Sequence, residues 1–170
     1  MDNGSNGNGN GNGASEDKRY RKMPIRPQLL ESGKKTNMMI RNGTLSMSAQ
    51  VVASGGETNL HAHAGSDAIW LVLNGQATFY GEGDKVIATL NKYDSFFIEH
   101  GAPYWFESSS PENLVILRFG AKVEGVQEER LDYGERQFVV AHGAGDVDKQ
   151  REAGLVSREV KFVEGKYFGD

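Results

Sequence analysis

The stretch Gly55-Gly-Glu-Thr-Asn-Leu-His-Ala-His-Ala-Gly-Ser-Asp-Ala-Ile-Trp-Leu-Val-Leu-Asn-Gly75 decides how the chain is read. It opens on a glycine pair, passes through His61-Ala-His63, and runs into Ala68–Leu73, which is apolar at every position. Alternate residues of a strand share a face, so Glu57, Asn59, His61 and His63 are expected to point the same way. Two positions along a strand span about 6–7 Å between Cα atoms, a distance that two imidazoles can close around one ion. A strand wet on one side alternates, so the run Ala68–Leu73 predicts cover on both faces. That cover is to come from a second sheet, the C-terminal segment or a partner subunit, and a homodimer is the expectation.

On either side of this stretch, short strands and turns recur from about Thr36 to Phe119. Strands are predicted over Leu45–Ala53, Thr58–His63, Ala68–Leu73, Gln76–Tyr80, Lys85–Leu90, Ser95–Ile98, Pro103–Glu107 and Leu114–Phe119. Asn42-Gly43 and Asn74-Gly75 predict type I′ hairpins, and Gly81-Glu82-Gly83-Asp84 a further tight turn. Many short strands with turn signals at regular spacing predict an all-β sandwich or barrel.

Further out the composition changes. Asn3 to Gly13 is almost pure Asn and Gly, which maximises backbone freedom and buries nothing, so residues 1–17 are read as a disordered leader. Lys18, Arg19, Arg21, Lys22 and Arg26 form a solvated lead-in, and Pro24 and Pro27 argue against a helix there. The barrel with this lead-in is assigned to residues 18–120. Residues 121–170 form a C-terminal arm, with a short helix over Asp146–Gly154, a strand over Val156–Val163, and Tyr167 and Phe168 as anchors.

The whole chain has 170 residues, with 38% hydrophobic and 25% charged residues and a formal charge of -4. Its length fits one domain. The mild negative charge argues against a nucleic-acid partner, which needs clustered Lys and Arg. No apolar run approaches the roughly 18 residues of a membrane span, and no secretory h-region opens the chain. The absence of cysteine excludes disulfides, thiolate metal sites and cysteine nucleophiles. A cytoplasmic protein acting on a small molecule is the expectation.

The spacing Gly55-x5-His61-x-His63-x4-Ala68-x6-Gly75 resembles the first motif of the cupin superfamily. The second motif is similar to Leu90–Phe106, with its turn over Glu99-His100-Gly101-Ala102-Pro103-Tyr104. The resemblance covers residues 45 to 120 and implies a double-stranded β-helix (jelly-roll) barrel, often dimeric, with Fe, Mn, Ni or Zn in the mouth of many members. This sequence departs from the pattern at two ligand positions. The usual glutamate falls on Ala68, or on Asp67 if a bulge turns it inward. The usual histidine of the second motif falls on Tyr104.

Three readings of the site follow. In the first, His61 and His63 hold a divalent metal (Fe, Zn, Ni or Mn), with Tyr104, Asp67 or Glu57 as third ligand, for lyase, isomerase, cyclase or metal-dependent oxygenase chemistry. In the second, no metal remains, and a histidine acts as base with Tyr104 as proton donor, for lyase, isomerase or cyclase chemistry. In the third, the barrel only binds a ligand. Under the first two, His61, His63 and Tyr104 are the catalytic group. Trp70, Phe106 and Ala68 are expected to line the pocket, and Asn59 and Gln50 to support the histidines. Arg118 and His100 are expected to face solvent, and His142 is assigned no role.

Overall fold

In a computed structural model of the chain, the described residues are 19–134 and 160–170. The Asn/Gly leader, the helix expected over Asp146–Gly154 and Val156 lie outside them. Twelve strands are present: β1 (Gln28–Ser32), β2 (Lys34–Arg41), β3 (Leu45–Val52), β4 (His61–His63), β5 (Ser66–Asn74), β6 (Ala77–Tyr80), β7 (Val86–Leu90), β8 (Ser95–Ile98), β9 (Trp105–Ser108), β10 (Leu114–Lys122), β11 (Arg130–Asp132) and β12 (Lys161–Tyr167). The sheet orders are β2-β3-β10-β5-β8, β7-β6-β9, β11-β4 and β1-β12, and every pairing is antiparallel. The all-β double-stranded β-helix read from the sequence is the fold of the described chain.

The barrel closes on a core that alternation dictates. Ala68, Trp70 and Val72 of β5 point inward and are buried, as are Val52, Leu114 and Ile116 from β3 and β10. Phe79 and Phe106 meet them from the three-stranded sheet, their rings stacked at 5.0 Å, and Trp70 lies 5.0 Å from Phe106. A smaller cluster on the outer side joins Leu30, Val51, Val115 and Val160, with Leu73 and Phe162 against it. Strands β1 and β12 thereby cover one end of the large sheet.

At the other end of β5 no described segment of the chain covers the outer face. Ile69 is 49% exposed. It stands in a row across all five strands: Ile40 opposite Met47, Met47 opposite Phe119, Phe119 opposite Ile69, and Ile69 opposite Phe97. These side chains shelter one another along the sheet, as cross-strand neighbours do, with the row itself facing outward.

Neither Asn-Gly pair forms the expected type I′ turn. At Asn42 the amide oxygen accepts from the N–H groups of Thr44 and Leu45, a side-chain turn that leaves Gly43 outside the left-handed region. Asn74-Gly75 is a corner rather than a hairpin, since β5 and β6 belong to different sheets. There only Gly75 has positive φ (73°), and a Cβ on it would lie 3.0 Å from the Asn113 carbonyl. The turn over Gly81–Asp84 forms as read, with Gly83 and Asp84 at positive φ. Strands β1, β2 and β11 were not foreseen, and β12 begins at Lys161. In β2 a bulge between Met38 and Ile40 breaks the period that would have marked it.

Replacing Gly75 by Ala forces a left-handed conformation on an L-residue, at a cost of about 1–2 kcal/mol, and crowds the Asn113 backbone as well. Gly43→Ala meets nothing within 4 Å and should stay within about 0.5 kcal/mol of wild type. Urea midpoints of the two variants should separate accordingly, and equal midpoints would contradict the corner geometry.

Candidate functional site: a basic cavity beside the histidine pair

His61 and His63 lie on the short strand β4, held between two different segments. On one side His61 and Tyr104 exchange both backbone hydrogen bonds, at 3.0 and 2.9 Å. Their rings stand 4.5 Å apart, and the His63 ring is 5.4 Å from that of His61. On the other side β11 pairs with β4, setting Arg130 opposite His63 and Asp132 opposite His61. The sequence thus brought together the three residues it singled out as catalytic. It did not reveal that a stretch of the C-terminal arm would lie along them.

Both imidazoles are oriented through Nδ1. His61 Nδ1–H donates to the Asn59 carbonyl at 2.8 Å. His63 Nδ1–H donates to Glu128 Oε1 at 2.8 Å, while Glu128 Oε2 accepts from the Gly65 N–H at 3.2 Å. A donor at Nδ1 leaves the lone pair of a neutral ring on Nε2. Asn59, Arg130 and Asp132 form a further network, in which Arg130 donates to Asn59 Oδ1 at 2.7 Å and Asp132 Oδ1 at 2.9 Å. The Asn59 amide donates to Asp132 Oδ1 at 2.8 Å, so Asn59 supports His61 with its carbonyl and fixes Arg130 with its side chain.

The electrostatics are set by cations. Burial, then the charge of Arg130, lowers the His61 pKa to about 2. Burial and then Arg118 lower that of His63 to about 4, against the upward pull of Glu128. Tyr104 is moved up by burial, so it keeps its proton at neutral pH. Lys34 is buried, its Nζ 4.6 Å from the Phe106 ring, and burial followed by Arg130 and Arg118 holds its amine well below the usual lysine range.

A cavity of about 280 Å³ opens beside His63. His63, Glu128, Ser46, Ser66, Arg118 and Lys122 contribute to its wall. Arg118 corrects the expectation of an outward side chain: its register opposite Trp70 and Ser48 places it on the inner face of the sheet. Its Nη2 donates to Ser66 Oγ at 3.2 Å, and a Cβ on Gly120 would fall 2.7 Å from Nη1, so the glycine makes room for the guanidinium.

Other expected lining residues sit elsewhere. Trp70, Phe106 and Ala68 do not line the cavity but pack in the aromatic core, where a large apolar ring gains most from full burial. Gln50 is buried on the inner face of β3, its Nε2 3.5 Å from Ser48 Oγ. Asp67 faces out from β5, and its Oδ1 accepts from the backbone N–H of His100 at 2.9 Å and lies 2.7 Å from His100 Nδ1. No bulge turns it inward. Glu57 is half-buried and lies outside the cavity.

Among the described residues, no three of His, Cys, Asp and Glu gather in a set able to hold a metal ion. The third ligands considered, Asp67 and Glu57, are therefore not assembled with the histidines, and Tyr104 retains its phenolic proton. Arg118 and Arg130 further disfavour a second cation at the pair. The donor set of the described residues does not fit a resident divalent metal.

Two residues that shape this site, Glu128 and Arg130, escaped the sequence, and a third, Arg118, was expected on the wrong face. Arg118 had a signal, since it shares parity with the buried Ile116 and Leu114. Glu128 and Arg130 had none, because only long-range pairing brings them to β4.

No helix among the described residues is long and apolar enough to cross a membrane. No curated protein matches the chain. A family model described as a cupin domain matches residues 49–119. Among solved structures, a conserved protein with a double-stranded β-helix domain from Klebsiella pneumoniae is similar at 18% identity and a TM-score of 0.51, over 61% of this chain and 89% of that one. An RmlC-like cupin from Desulfovibrio desulfuricans matches at 18% identity and a TM-score of 0.47, over 52% and 82%. KdgF from Halomonas sp. matches at 24% identity and a TM-score of 0.46, over 54% and 82%. With this sheet order and the His-x-His strand, residues 49–119 form a cupin domain.

Proposed function

We propose that this cupin is a small-molecule enzyme working by metal-independent acid–base catalysis, in the lyase or isomerase class. The observation that carries the reading is the His63–Glu128 pair at the cavity wall, with Tyr104 held behind it on the strand facing His61. Glu128 orients the ring through Nδ1, and Nε2 is left as the base. A substrate with a C–H next to a carbonyl would lose that proton to His63 Nε2. The C–H electron pair then forms the C=C bond of an enolate, and the charge moves to oxygen, where the neutral Tyr104 hydroxyl can donate a hydrogen bond. Return of the proton at carbon or expulsion of a β-leaving group completes isomerisation or elimination.

Support for assembly comes from the outer row Ile40, Met47, Phe119, Ile69 and Phe97. A continuous apolar row of this kind on a sheet fits a second copy of the same chain packed across a two-fold axis. We propose that this face, and not the cavity, is the homodimer contact.

The chemistry predicts deuterium incorporation into pyruvate and into uncharged hydroxyacetone in D₂O, read by proton NMR, and unaffected by a strong chelator. His63→Gln should lower the exchange rate by about 10²-fold or more and Tyr104→Phe by a smaller factor. Protonation of His63 removes the base, so the rate should hold as pH falls from 7 to 5 and drop near 4. Loss of exchange on chelation, or a limb near 6.5, would count against the proposal. Light scattering after size exclusion should return a dimer for the wild type and a monomer for Ile69→Lys; a monomeric wild type would contradict the outer-face contact.

A further inference from the structure

Among the described residues, four side-chain polar atoms are buried with no hydrogen-bond partner: Gln50 Oε1, Trp70 Nε1, Tyr104 Oη and Arg118 Nε. Leaving one such atom unmet costs about 1–3 kcal/mol, so a cluster of them marks a place where a bound molecule or water completes the structure. The four are neighbours. Arg118 is paired opposite Trp70 on one side and Ser48 on the other, and Gln50 lies two residues from Ser48 on the same face. The rings of Trp70 and Tyr104 are 6.1 Å apart.

Their chemistry is directional. Two N–H groups and one O–H are donors, and a single amide oxygen is an acceptor. Arg118 carries this set to the cavity, because its Nη atoms reach Ser66 and the hollow over Gly120 while its Nε faces inward beside Trp70 and Tyr104. Lys122 adds positive charge to the cavity wall, where Glu128 is the only carboxylate among the described lining residues. A guanidinium on the wall of such a cavity suits the two oxygens of a planar carboxylate. The negative Glu128 on the same wall opposes the second charge of a phosphate.

We propose that the cavity binds a small carboxylic acid, its carboxylate anchored by the Arg118 guanidinium, with Ser66 and Lys122 as further donors on the same wall. The inference deepens the acid–base reading of the site by naming the class of substrate.

The test uses the full-length chain carrying Trp105→Phe, which leaves Trp70 as the sole tryptophan. Trp70 fluorescence and melting temperature are followed while pyruvate, lactate, malonate or 2-oxoglutarate is added. Sulfate and inorganic phosphate at matched ionic strength are the controls. At least one carboxylate should change the emission saturably at a single site and raise the melting temperature, with neither inorganic anion doing so. Arg118→Met should weaken that binding about ten- to a hundredfold, as loss of hydrogen bonds to a charged group does. Lys122→Met and Gly120→Ala, the latter displacing the guanidinium, should weaken it by smaller factors and serve if Arg118→Met does not fold. No saturable response to any of the four acids, an equal response to sulfate or phosphate, or unchanged affinity in these variants would overturn the proposal. Tight carboxylate binding without deuterium exchange would keep the anion site and overturn the acid–base reading. Exchange that is indifferent to Arg118 would do the opposite.

Discussion

The pairing of β11 with the histidine strand is the contact on which the site depends. Without it, β4 would present two imidazoles to a barrel mouth with nothing to orient the second. The three residues of β11 bring Arg130 and Asp132 into register with the histidines, and the approach to that strand delivers Glu128 to His63 Nδ1. A hydrogen bond between an imidazole and a carboxylate fixes ring and tautomer together, a pairing familiar from hydrolase triads and from metal sites alike. Here the surroundings decide between those uses. The positions from which cupins usually supply further metal ligands hold Ala68 and Tyr104, and the nearby charges are cationic.

That cationic character links the two ends of the proposed chemistry. Arg118 depresses the basicity of His63 in the free protein. An anion bound on Arg118 would offset its charge, so the imidazole becomes a stronger base once substrate is in place. Arg130 extends the positive potential inward, and Tyr104 stays neutral through burial. The interior therefore favours a negative group and a proton donor at the same time, which is what an enolate-forming reaction on an acid needs.

Much of this was legible in the sequence, and the reasons are physical. Alternation is a local property, so the inward set Ala68, Trp70 and Val72 could be read directly, and so could the shared face of His61 and His63. The juxtaposition of Tyr104 with His61 followed from motif spacing. Trp70 and Phe106 were expected as pocket walls, yet their rings close the core under the site; parity tells which face a residue occupies but not how deep the hollow runs. The Asn-Gly pairs show the converse limit, since a permissive dipeptide allows several turns and the neighbouring strands choose among them. Glu128 and Arg130 act through pairing distant in sequence, and a charged three-residue strand carries no period to announce it.

The most direct test of the account is a pH titration of the protein by ¹⁵N NMR of its imidazole nitrogens. The account predicts that His63 is a neutral ring protonated on Nδ1 at pH 7, that it titrates near 4, and that Glu128→Gln moves its pKa lower still. A His63 that titrates near 6.5, or one protonated on Nε2, would show that neither the carboxylate contact nor the buried cationic setting exists in solution.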